Sequence, residues 1–180
     1  MSKLIDLVRA RPICRATNLV LAIGGTIDVI ELVESDIRGV SRRTIIDVVK
    51  LAEIYLLELL LKFPEATIIM FNLFPRSYCI KGCEDEKSCK YVHFNQSNRV
   101  QKRLERLNRY CKSFNWHFKD AAKFDTRFQK VLFYDVFRFF QCKGTFFDSY
   151  GGFLAKDGLH LSPQGKEFMS SDLTRLAWRQ

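Results

Sequence analysis

Nine residues near the C-terminus, Asp157-Gly158-Leu159-His160-Leu161-Ser162-Pro163-Gln164-Gly165, have the types and spacing to do chemistry. A carboxylate stands three residues before a histidine in a glycine-punctuated stretch. A short turn of that kind brings Asp157 against one imidazole nitrogen of His160. The contact fixes the tautomer and leaves the other nitrogen as a general base. Ser162-Pro163 then opens a helix, with serine as N-cap and proline at the first helical position. An acid and a base arranged in this way require a nucleophile, or a water that the histidine activates.

Four candidate metal ligands lie just ahead of the basic segment. Cys79, Cys83, Cys89 and His93 read C-x3-C-x5-C-x3-H, and three thiolates with one imidazole satisfy a tetrahedral zinc ion. The half Cys89-x3-His93 with its x5 spacing from Cys83 resembles the second half of a CCCH zinc finger, although the first spacing is shorter than that family shows. The alternative is an irregular cysteine-containing insertion around 75–95 that binds no metal. If zinc binds, the basic helix that follows makes RNA the natural partner.

The elements that must position these residues are legible in outline. Leu19-Val20-Leu21-Ala22-Ile23 runs apolar into Gly24-Gly25, as a buried parallel strand feeding a loop does. Ala66 to Leu73 is a second such strand, stopped at Pro75. Between them, Ser41 to Phe63 carries Ile45, Val49, Ala52, Leu56 and Leu60 on one stripe and ends before Pro64. Strand, helix and strand in this order predict a right-handed βαβ crossover and parallel pairing. Val100, Leu104, Leu107, Cys111 and Phe114 mark an amphipathic helix. The alternation Trp116-His117-Phe118-Lys119-Asp120 predicts a third strand. Phe133, Val136, Phe137 and Phe140 suggest a helix, and Pro163 to Trp178 closes the chain as a helix burying Phe168, Met169, Leu173 and Leu176.

The Asp-x-x-His block followed by a helix resembles the last sequence block of the SGNH (GDSL-type) hydrolases, a family of serine esterases and lipases. Leu19-Val20-Leu21-Ala22-Ile23-Gly24-Gly25-Thr26-Ile27-Asp28 resembles that family's third block, a strand ending in Gly-x-Asn-Asp. The resemblance implies a three-layer, flavodoxin-like α/β fold with a parallel sheet, catalytic roles for Asp157 and His160, an oxyanion region at Gly24, Gly25, Ile27 and Asp28, and ester substrates. Two departures stand out. The chain opens on Leu4-Ile5-Asp6-Leu7-Val8, which looks like the helix ahead of the third block, so the family's first strand and its serine have no room. Ile27 stands where the family has an oxyanion-hole asparagine, and isoleucine offers no donor. Ser77 and Ser149 read as loop serines, without the strand-to-helix elbow of a nucleophile. The expectation is therefore an SGNH-like fold incomplete at its first strand, inactive or a fragment of an esterase. Its sheet should be open beside 19–25, covered there by Met1–Val8 or by a partner chain.

With 180 residues, 47% hydrophobic and 13% aromatic, the chain reads as one domain with a real core. No stretch is apolar enough to predict a transmembrane segment, and charges at Lys3, Asp6, Arg9 and Arg11 interrupt any signal-peptide pattern. An intracellular, cytoplasmic setting with reduced thiols is expected. The net charge of +9 is concentrated in 96–130, with ten Lys/Arg against three acids. Such a face attracts nucleic acid, and Arg99, Lys102, Arg103, Arg106 and Arg109 are the candidate contacts; a solvated helix face is the plainer reading.

Overall fold

Three short apolar runs pair as a parallel sheet. Strand β1 (Leu19–Ala22) aligns with β2 (Thr67–Phe71) from Leu19↔Thr67 to Ala22↔Met70. On its other side, β2 aligns with β3 (Val131–Tyr134) from Ile68↔Val131 to Phe71↔Tyr134. Spatial order equals chain order, β1-β2-β3. These coordinates are a computed structural model, which describes residues 1–22, 24–74, 98–135, 154 and 160–177. The chain divides into two compact units, one of Met1–Phe74 with Arg106–Phe137 and one of Pro75–Glu105 with Arg138–Gln180.

The described helices are α1 (Ser2–Arg9), α2 (Thr26–Ile37), α3 (Ile45–Lys62), α4 (Asn98–Phe124) and α5 (Pro163–Ala177). The protein is thus a mixed α/β chain with a parallel sheet, as expected. Helix α3 begins where its capping chemistry dictates. The Thr44 hydroxyl accepts from the Asp47 N–H, and the Asp47 carboxylate accepts from the Thr44 N–H at 2.7 Å. Pro64 follows the last turn and stops it.

Side-chain parity along the strands sorts the core. Val20, Ala22, Ile68, Met70, Val131 and Phe133 belong to one cluster with apolar residues of α1, α2, α3 and α4. Both crossovers, β1 to β2 and β2 to β3, step the same way across the sheet. Right-handed connections then lay their helices on one face. Ile69 and Phe71, of the opposite parity, are buried outside this cluster. Leu19 and Leu21 share that parity and are 42% and 54% exposed.

Three expectations are corrected. Trp116 to Asp120 is not a strand but the later part of α4. The buried positions Leu107, Cys111, Phe114, Phe118 and Ala122 continue at steps of three and four, and that stripe outweighs five residues of local alternation. Phe133 is not helical; it lies in β3, the true third strand, whose side chains alternate between cluster and opposite face. In α5, Phe168 is 42% exposed rather than buried, while Met169 and Leu173 are half-buried on a neighbouring stripe.

Helix α1 packs against α3. It places Leu4 over Gly24 and Met1 over Gly24 and Gly25, at the end of β1. No helix among the described residues is long and apolar enough to cross a membrane.

Donation from the Thr44 N–H, and then from the Thr44 hydroxyl at 2.9 Å, holds the Asp47 carboxyl below the usual carboxylate range. A lowered folded pKa adds stability that is complete above the ordinary carboxylate value and is lost as pH falls through the folded value. Thr44→Ala is expected to cost about 1 kcal/mol in urea unfolding at neutral pH. The stability gap between wild type and Asp47→Asn should close as pH drops below about 4; a gap independent of pH would show that the carboxylate does not cap the helix.

Candidate functional site

The carboxyl ends of parallel strands are where α/β sheets bind ligands, and β1 ends there in Gly24 and Gly25. Gly25 has φ +96° and serves as N-cap of α2. A Cβ at this position would come within 3.0 Å of Met1 Cε and 3.2 Å of Phe114 Cζ, so both backbone and space require glycine. Ile27, in the first turn of α2, is 69% exposed and brings no hydrogen-bonding side chain. Asp28 is buried beside it, and its two carboxylate oxygens accept from the Met1 α-ammonium at 2.8 and 2.7 Å. The turn thus joins left-handed glycine, helix amides and a carboxylate whose charge the ammonium neutralises.

The ends of β2 and β3 hold polar residues that the sequence reading missed. Asn72 is buried, and its Nδ2 donates to Asp135 Oδ1 at 3.2 Å. Asn115 of α4 also is buried; its Oδ1 accepts from the Leu73 N–H at 2.7 Å and its Nδ2 donates to the Leu73 carbonyl at 3.0 Å. The amide takes the place of a ladder partner just where β2 stops. One signal existed: Asn72 is a polar residue that breaks the apolar run of β2 just before Pro75.

The second unit holds the C-terminal block. Leu154 and Leu161 form an antiparallel bridge. Ser162 caps α5 as expected, its Oγ accepting from the Gly165 N–H at 3.0 Å. His160 is exposed, two residues before this cap. Asp157 lies outside the described residues. None of the serines among the described residues follows a strand at its carboxyl end; Ser77 and Ser149 also lie outside them.

A thiol does not replace the serine in the described part of the first unit. Cys14 is held below the usual thiol range by the Thr17 hydroxyl at 3.1 Å and then by nearby backbone. Its N–H, however, donates to the carbonyl of Lys62, ahead of β2, so it sits at the amino end of the sheet, away from Gly25. Cys111 is buried in the core.

Cys79, Cys83, Cys89 and His93 lie outside the described residues, and no group of three or more metal-ligating side chains occurs among the described ones. Of the expected nucleic-acid contacts, Arg99 falls in the first turn of α4, and Lys102, Arg103 and Arg109 are exposed on that helix. Arg106 instead pairs with Asp36 at 3.0 Å, beside the Tyr110 hydroxyl, which donates to the same carboxylate at 3.0 Å.

Gly25→Ala is expected to lower stability by about 1–3 kcal/mol, because it adds strain at positive φ to two close contacts. Asn115→Ala is expected to cost about 2 kcal/mol or more, leaving both Leu73 backbone groups without this partner. Thermal melting of the two variants checks both, and wild-type melting would refute the roles given to these residues.

No protein-family model matches the chain, and no curated protein matches it either.

Proposed function

We propose that the chain is an SGNH-hydrolase-like domain of flavodoxin type, retaining the Asp157–His160 block and lacking a serine nucleophile within these residues. The observation that carries this reading is the sequential parallel order β1-β2-β3, with a glycine turn and Asp28 at the carboxyl end of β1. A doubly wound sheet that lacks its first strands leaves that order. The serine-capped α5 directly after His160 agrees with it.

On this reading, Asp157 orients His160 and the imidazole can take a proton, but among the described residues no hydroxyl stands on an elbow to give one. The exposed Ile27 supplies no donor to an oxyanion, and loss of one such donor costs about 10²–10³ in rate. The chain is then inactive on ester substrates by itself, in a reducing, cytoplasmic setting.

Hydrolysis of p-nitrophenyl acetate by the wild type is expected to match that of His160→Ala, with no serine labelled by a fluorophosphonate probe. A rate well above that variant, with a labelled serine, would overturn the inactive reading. An experimental structure is expected to place the Asp157 carboxylate within hydrogen-bond reach of His160; side chains pointing apart would overturn the family reading itself.

A further inference from the structure

Helix α4 buries one face in the core and presents the opposite one to solvent. On the buried side are Leu107, Cys111, Phe114 and Phe118. On the other side, Arg109, Lys112, Trp116, Lys119 and Lys123 follow one another at steps of three and four residues, which makes a single stripe about 20 Å long. Trp116 is 64% exposed at the centre of that stripe. Its ring is braced by the neighbouring His117 ring, edge-on with centroids 4.8 Å apart. Arg109, Lys119 and Lys123 are exposed, and none has a carboxylate within ion-pair distance among the described residues. Sequence alternation hides this arrangement by suggesting a strand; a helix is what sets the indole among the cations.

An exposed indole between cations offers a flat apolar face that a stacking partner can cover. The chemistry of the stripe selects the occupant. Arg109 stands about 10 Å before the indole along the helix, and Lys119 and Lys123 about 5 and 10 Å beyond it, so cations on both sides can meet phosphates of one strand while the aromatic face between them stacks on an unpaired base. A duplex keeps its bases stacked on each other and offers the indole no such face. A membrane-seated helix would need its broad apolar side outward, whereas that side of α4 is in the core. We propose that this stripe is a platform for single-stranded nucleic acid, with Trp116 stacking on a base while Arg109, Lys119 and Lys123 neutralise the flanking phosphates. This goes beyond the hydrolase-like reading and does not depend on it, since it uses neither Asp157 nor His160.

The test is fluorescence anisotropy of the full chain with a labelled twelve-nucleotide oligothymidylate, across a salt series. Three neutralised phosphates give a slope of log K against log salt of about −2. Trp116→Ala should weaken binding about tenfold, and Trp116→Phe should restore most of it. The double variant Lys119→Gln/Lys123→Gln should flatten the slope by about 1.4. All three should melt as the wild type does. The proposal is overturned if Trp116→Ala binds as tightly as wild type, or if a duplex binds as well as the single strand. It fails equally if polyglutamate or phosphatidylserine vesicles bind through Trp116 in place of the oligonucleotide. Should Trp116→Ala melt early, the lysine double variant decides, and an unchanged salt slope overturns the assignment.

Discussion

Parallel pairing of β2 with both of its neighbours is the constraint from which the rest of the first unit follows. A parallel neighbour can be reached only by carrying the chain back to the starting end of the sheet, so each pairing demands a crossover. Two crossovers in the same direction, both right-handed, put their helices on one face. That is why α2, α3 and α4 share a core with one parity of all three strands, while Ile69 and Phe71 are buried apart from it. Helix α1 joins the same layer through α3.

The same constraint gathers the loops that could do chemistry. Every strand ends at one side of the sheet, so Gly25, Asn72 and Asp135 all emerge there. What occupies that side in the first unit is largely self-satisfied: the Asp28 carboxylate holds an ammonium, Asn72 holds Asp135, and Asn115 holds the backbone of Leu73. Gly25 lets Met1 and Phe114 close over the turn. A region built this way favours order over reactivity.

How far the sequence disclosed this depended on whether a local signal had competition. Strand β1 was legible because an apolar run ended in two glycines, and α3 because its stripe ended at proline; both lie where expected. Trp116 to Asp120 misled because alternation over five residues also fits a surface stretch of an amphipathic helix. Only the stripe running from Leu107 to Ala122 resolves the ambiguity. Strand β3 is four residues long, too short for its period to be read among neighbouring phenylalanines. Of the candidate site, the glycine turn and the serine cap could be read from residue type. The asparagine contacts could not, because they join residues 42 and 63 positions apart.

Those separations also bear on how the chain reaches its native state. Leu19 pairs with Thr67 and Ile68 with Val131, so each pairing must close a loop of about fifty or sixty residues before any strand contact repays the lost freedom. Helices α3 and α4 need no such closure and can form within microseconds. Pairing of the sheet is therefore the slow event, on the millisecond-to-second scale of topologies dominated by distant contacts. During synthesis β1 waits about fifty residues for β2, and the buried β2 then waits about sixty more for β3. A nascent chain of this topology is most in need of a chaperone between the appearance of Phe71 and that of Tyr134, while the apolar β2 lacks its second neighbour.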